Sequence, residues 1–187
     1  MKDKEWCKTI EAEITDLKNR VSKLEGNLAN EPENSSSCSE QKTLEGDIEW
    51  PEADIGGLHF NAVKTHAVFE KIDGIYYSRD ILFHSARDTD DGTGRDLLSE
   101  YLASDAVRLA IKKAFNISEN VYVYLPKTNQ GVKKYNGVSW WYWLKPRSSG
   151  SSAGFTYVHD YGISTDYSAS AVGGCAPAFC VGGNRHG

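Results

Sequence analysis

Apolar positions change their period along this 187-residue chain, and each period predicts a different element. Ile10, Ile14, Leu17, Val21, Leu24 and Leu28 are spaced 4, 3, 4, 3 and 4 apart, the alternation that puts one apolar seam on a helix and favours a coiled coil. With Ile14, Val21 and Leu28 at a and Ile10, Leu17 and Leu24 at d, Glu13 and Arg20 fall at g while Lys18 and Glu25 fall at the following e. Both g-to-e pairs are then opposite in charge when strands run parallel and in register. The alternative is an amphipathic helix packed on its own domain, but such helices show a wider stripe of period 3.6. Residues 1–30 are therefore expected to form a parallel coiled-coil stalk.

Within that stalk, RVSKLE at residues 20–25 resembles a trimerisation signature. The stem of Arg20 would pack along the a/d layer while its guanidinium reaches Glu25 of a neighbouring chain in a charge-assisted pair. A homotrimer through residues 6–28 is the expectation, with the head assisting because so short a coiled coil is marginal alone. Residues 31–46, rich in Ser, Glu and Asn, read as a flexible linker. The head is expected at 47–187.

In the head the period shortens to two. HAVFEKI, GIYYSRDILFH and NVYVYLP read as strands punctuated by Gly and Pro. Between them, residues 95–115 carry Leu97, Leu98, Tyr101, Leu102, Val107, Ala110, Ile111, Ala114 and Phe115 at helical spacing. Ser104 or Asp105 would cap the second of two short helices. VSWWYWLKPR at 138–147 alternates so that Trp141 and Trp143 anchor the core while the other rings lie near the surface. FTYVH, GIS and APAFCV complete the strands. The fold class is α+β with few helices.

Composition narrows the functions. The net charge is −5, and no Lys/Arg cluster offers the positive face that a phosphate backbone requires, so no nucleic-acid partner is expected. Neither a signal-peptide apolar core nor a run of about 18 apolar residues is present, so the reading is a protein cytoplasmic as synthesised, without membrane insertion. Cys7, Cys38, Cys175 and Cys180 are too few for a disulfide framework, although Cys175 and Cys180 could meet if the chain folds back.

Several stretches imitate chemistry. Residues 150–154 match G-x-S-x-G, with His159 and Asp160 nearby, yet a nucleophile elbow needs a strand before the Ser and a helix after it. Asp88, Asp90, Asp91 and Asp96 offer oxygen ligands without the spacing of an EF-hand, and a solvated loop leading into a helix is preferred, with Asp96 at the helix N-terminus. His59, His66, His84 and His186 share no ligand spacing. No metal site, cofactor or catalytic group is expected.

An absence in the tail says more. Lys, Glu, Gln, Met and Trp do not occur from Pro146 to Gly187, where ordinary usage would give on the order of ten. Those five are the amino acids that a codon ending in a pyrimidine cannot encode, the codon class produced when the adenines of Asn codons are randomised. Tight loops also favour Gly, Ser, Tyr and Asp for conformational reasons. Both accounts imply exposed loops of a kind that binding surfaces use.

SWWYWLKPR, followed after a Gly/Ser/Tyr-rich interval by GGCAPAF, resembles the W-W-L-R-S-P and G-V-R-P-A-F signatures of the variable proteins of diversity-generating retroelements. Those are bacterial and phage domains of the C-type lectin fold, related to formylglycine-generating-enzyme-like modules, and the similarity covers roughly residues 66–181. Tyr142 interrupts the tryptophan pair, Lys145-Pro146-Arg147 stands for Arg-Ser-Pro, and Cys175-Ala176 replaces Val-Arg, which removes an internal polar contact. The resemblance implies a C-type lectin fold head after the stalk, with a ligand-binding segment diversified over about 138–181. Trp141, Trp143, Leu144, Val158, Pro177 and Phe179 become scaffold.

With Val158 and Ile163 inward, the implied ligand-binding residues are Tyr142, Arg147, Ser149, Ser151, Tyr157, His159, Asp160, Tyr161, Asp166, Tyr167, Ser168 and Ser170. The implied function is non-enzymatic binding of a protein or glycan on a cell surface, most simply by a trimeric phage tail, fibre or surface adhesin. The alternatives are an oxidase of the formylglycine-generating type using Cys175 and Cys180, or an undiversified display or scaffold protein.

Overall fold

The computed structural model describes residues 43–90, 93–148 and 154–182. The chain divides into two units, Met1–Glu40 and Gln41–Gly187, and the described residues all belong to the second. The heptad seam, the expected trimer contact at 6–28, and Ser149, Ser151 and Asp91 lie outside them.

The second unit is mixed α+β and mostly strand. Its first half contains β1 (Thr43–Trp50), β2 (Ala53–Ile55), β3 (Leu58–Phe60), β4 (Val63–Ile72), β5 (Ile75–Ser78) and β6 (Phe83–Ser85), followed by α1 (Leu97–Leu102) and α2 (Asp105–Phe115). Then come β7 (Val121–Tyr124), β8 (Lys133–Tyr135), β9 (Val138–Trp140), β10 (Tyr142–Arg147), β11 (Gly154–Val158), β12 (Ser164–Ser168), β13 (Gly173–Cys175) and β14 (Ala178–Val181). One five-stranded sheet has the order β1-β4-β5-β14-β7, a second the order β12-β11-β10-β13-β6, and β2-β3 and β8-β9 are separate hairpins.

β1 begins at Thr43, so residues 43–46 of the expected linker are strand. Their partners are Ala67 to Glu70 on β4, and Leu44 is buried there. A local reading of Ser- and Glu-rich composition misses this because the strand is stabilised by a partner distant in sequence. From Leu44 onward the strand alternates, burying Ile48 and Trp50 and exposing Glu45, Asp47 and Glu49.

The helices follow their signals. Asp96 caps α1 by accepting from the Ser99 amide, Ser104 caps α2 by accepting from the Val107 amide, and Asn116 ends α2 in the left-handed region. Val107 and Ile111 are buried in the main core. Phe69, with ring centroids 5.6 Å from Phe115 and 4.9 Å from Phe179, links α2 to the middle of the first sheet. Each such side chain contributes on the order of 1.5–3 kcal/mol by leaving water. β14 lies antiparallel between β5 and β7 with Phe179 opposite both Tyr76 and Val123, so the terminal segment is a central strand.

The second sheet has apolar packing on both sides. Trp143, Phe155 and Tyr157 join the main core, whereas Tyr142, Leu144 and Val158 form a smaller cluster with Ile81 and Ala176. On the main-core side of this sheet lies Arg87, fully buried against Phe155 and Trp143. Its guanidinium pairs with Asp96, donates to the Leu144 and Lys145 carbonyls, and stands 3.9 Å from the Phe155 ring centroid. A buried guanidinium needs such partners, because its desolvation is otherwise uncompensated. Arg87 also lies near enough to Cys175 to act on it electrostatically.

Candidate functional site

The floor of the candidate face is β13. A Cβ on Gly173 would lie 2.2 Å from the Trp141 ring and 2.8 Å from Trp143 Nε1, so only glycine leaves room for the two indoles against this strand. Trp143 is locked from below, its Nε1 donating to the Ser85 carbonyl at 2.9 Å. From that floor a chain of ring contacts rises to the surface. Trp141 lies 5.0 Å from Trp143 and 5.1 Å from Tyr157; Tyr157 lies 5.6 Å from Tyr167 and 6.0 Å from His159; His159 lies 3.8 Å from Tyr161. The base of this chain is buried, while Tyr161 and Tyr167 are 62% and 52% exposed.

The turn that carries Tyr161 is written into HDYGI. Gly162 N donates to His159 O and His159 N donates to Ile163 O, both at 2.8 Å, with Gly162 at φ 89°. This is a three-residue hairpin loop whose last position requires a positive φ, which Gly162 supplies. Asn129 Nδ2 donates to the Gly162 carbonyl at 2.7 Å and ties the turn to the preceding loop. His159 and Asp160 hydrogen-bond each other at its base.

A polar patch adjoins the rings. Asp166 accepts from Ser148 Oγ at 2.7 Å and from Thr156 Oγ1 at 3.1 Å, while the Ser168 and Ser170 hydroxyls lie 3.2 Å apart. Arg147 is exposed at the end of β10, donates to the Gly94 carbonyl and stands 4.8 Å over Phe155. The structure therefore gathers Arg147, His159, Asp160, Tyr161, Asp166, Tyr167, Ser168 and Ser170 on the β10-β11-β12 end of one sheet.

Three expectations are corrected. Tyr142, expected at the surface, is fully buried; its hydroxyl donates to the Gly131 carbonyl at 2.9 Å and accepts from the Gln130 amide. Burial pushes this phenol up to about 12. Tyr157 does point opposite Val158, but that face is also covered, and the ring is a support with 9% exposure. Strand alternation separates two faces without saying which is wet, and here both sides of β10 and β11 are packed. Ile163, expected as an anchor, is 62% exposed in the hairpin. Ser164, Thr165 and Val172 join the exposed surface without having been singled out, since in sequence they are ordinary loop or strand residues.

The other chemistry resolves into structure. Asp88 is a turn residue: burial alone would raise its pKa, but hydrogen bonds from Thr93, Thr89 and Gly94 outweigh that and hold it below the usual carboxylate range. Among the described residues no group of His, Cys, Asp and Glu is arranged to hold a metal ion. Strand rather than helix follows the G-x-S-x-G run, because Gly154 opens β11. Cys175 and Cys180 are free thiols on strands of different sheets, and burial raises the pKa of both, which disfavours a reactive thiolate.

No family model, curated protein or solved structure matches the chain. What the face can do must therefore be judged from its own groups. Rigid rings on a buried support, bordered by hydroxyls and a carboxylate, suit non-covalent recognition.

Proposed function

We propose that this chain is a non-enzymatic ligand-binding protein, a variable protein of the diversity-generating-retroelement kind with a C-type lectin fold head. Its ligand-binding face comprises the β11-β12 hairpin and adjoining loops, and its ligand is a protein or glycan on a cell surface. A parallel coiled coil joins three copies, which suits a phage tail, fibre or surface adhesin because several weak sites on one particle gain avidity.

The observation that carries this reading is the separation of support from display. Trp143, Leu144, Val158, Pro177 and Phe179 are buried, whereas β12 is exposed at all five positions. Apart from Tyr167, whose ring meets Tyr157, side chains on β12 can change without touching the core, which is what a diversified surface requires. The same segment lacks the five amino acids that pyrimidine-ending codons cannot encode.

Sequencing the flanking DNA tests the reading. A reverse transcriptase gene and a near-repeat of the coding sequence for the tail, differing at adenines, are expected beside this gene; their absence removes the diversification claim. Light scattering on the full chain is expected to give the mass of a trimer, and a monomer refutes the stalk. Copper binding with thiol-dependent oxidase activity, lost in Cys180→Ser, would replace this reading with the enzymatic one.

A further inference from the structure

β12 is an edge strand, and its hydrogen-bonding pattern shows which backbone groups it leaves open. His159 N donates to Ile163 O across the hairpin, so by antiparallel alternation the pairs Tyr157–Thr165 and Phe155–Tyr167 also exchange main-chain bonds. The Gly154 carbonyl, one residue out of phase, accepts from Ser148 on the β10 side, as this alternation requires. The main-chain N–H and C=O of Ser164 and Asp166 therefore face away from β11, and no backbone group of the described residues meets them.

Natural sheets normally block such an edge with Lys, Pro, a bulge or a covering segment. Ser164-Thr165-Asp166-Tyr167-Ser168 contains neither Lys nor Pro, pairs with β11 in unbroken register, and is exposed throughout. Its one charge, Asp166, is held by the hydroxyls of Ser148 and Thr156, which orient the carboxylate without neutralising it. On the opposite face Tyr167 presents an exposed ring, with exposed Ile163 beyond it.

We infer that β12 binds its protein ligand by strand addition: an extended peptide segment pairs antiparallel or parallel with Ser164 and Asp166. Such a segment carries Lys or Arg beside Asp166 and an apolar side chain, on the other face, over Tyr167. This rests on the ligand-binding reading and narrows its partner from any surface polymer to an extended polypeptide. Main-chain pairing supplies affinity that is independent of the side chains on β12, while those side chains select the partner. A surface built this way can change sequence and keep a baseline grip.

Random linear peptides displayed on phage and panned on the full chain provide the probe. Selected peptides are expected to carry a basic residue flanked by apolar ones and to slow amide hydrogen exchange at Ser164 and Asp166. Asp166→Pro removes an outward N–H that β11 does not use, so the hairpin should survive with an unchanged circular dichroism spectrum. It should weaken peptide binding about tenfold more than Asp166→Ala, which loses the same carboxylate and keeps the N–H. Thr165→Pro, which removes an inward N–H, should disrupt the hairpin and confirms the phase.

Peptides that bind without protecting those amides, or equal losses in the Pro and Ala variants, would overturn the inference. Enrichment of no peptide while an oligosaccharide array shows binding would overturn strand addition and leave the ligand-binding reading intact. Self-association of the chain that Asp166→Pro abolishes would assign the edge to a second copy, again against the inference. The flanking-DNA result is independent of all these outcomes, so failure of strand addition and failure of the diversification reading are distinguishable.

Discussion

β1 and β12 each close one edge of a five-stranded sheet, and their side chains treat that exposure in opposite ways. β1 buries one face on α2 and lines the other with charge: Glu45 and Asp47 flank His66, Asp47 also pairs with Lys64, and Glu49 pairs with Lys113. β12 buries neither face and carries hydroxyls, one carboxylate and one phenol. An edge studded with paired charges resists another strand, because the newcomer must displace or desolvate them. An edge of small hydroxyls does not. The contrast teaches that this protein has the means to guard an edge and does not use them where the rings and turns of the candidate site gather.

The largest way to break the contrast is to remove what stands beneath the unguarded edge. Arg87→Ala strands the Asp96 carboxylate and two β10 carbonyls around a cavity, and should cost roughly 3–5 kcal/mol by urea denaturation. Gly173→Ala forces a methyl group into the Trp141 ring and should cost about 1–3 kcal/mol. Adding Trp141→Ala should recover part of that loss, and simple additivity in the double-mutant cycle would refute the contact.

A third prediction concerns the β8-β9 hairpin, which packs under the same sheet. Lys133 is buried with its ammonium donating to the Ser78 and Arg79 carbonyls, and burial pushes it down to about 8 from an ordinary 10.5. The unfolded chain then holds more protons than the folded one between those values. Stability due to this residue is present above about pH 10.5 and is lost as pH falls through about 8. Melts between pH 8 and pH 10 should show a rise of up to about 1.4 kcal/mol per pH unit from this group, and Lys133→Met should flatten it.

Smaller effects sharpen the comparison. Tyr161→Ser should alter stability by less than about 0.5 kcal/mol, since its ring is exposed, yet reduce affinity for peptides that the full chain selects by about tenfold. His66→Gln on the guarded edge should leave that affinity unchanged. Hydrogen bonds that its ring donates to the Asp47 and Glu45 carboxylates raise the His66 pKa, so what it adds to stability is present below about pH 6.5 and lost as pH rises through the raised value. Thermal melts across that window should detect the loss, and a binding change in His66→Gln would show that the ligand reaches β1.

Much of the scaffold was legible because its signals are local. The two helices, with Asp96 and Ser104 at their caps, follow from spacing and hydroxyl or carboxylate chemistry within a few residues. The hairpin turn at Asp160-Tyr161-Gly162 is equally local. Trp143 could be read as an anchor from its parity in the aromatic run at 138–147, and Phe179 from the resemblance of GGCAPAF to a scaffold strand. Of the candidate face, Tyr161, Asp166 and Tyr167 were legible from the texture of the tail, whereas Tyr142 and Tyr157 were misread. A tyrosine looks the same in sequence whether its hydroxyl meets water or the Gly131 carbonyl.

The sequence by itself determined the two helices, their caps, the turn at Gly162 and a tail without Lys, Glu, Gln, Met or Trp, since each depends on backbone preferences, neighbours a few positions away or the coding of the segment. Only the tertiary structure decided that residues 43–46 are strand, that β10 and β11 are covered on both faces, that Arg87 is buried at the centre of a polar hub, and that β12 ends its sheet uncovered. Those facts depend on which distant segments pack together. Burial and edge position belong to the assembled sheets, and the free energy that sets them is shared across contacts that no short stretch of chain contains.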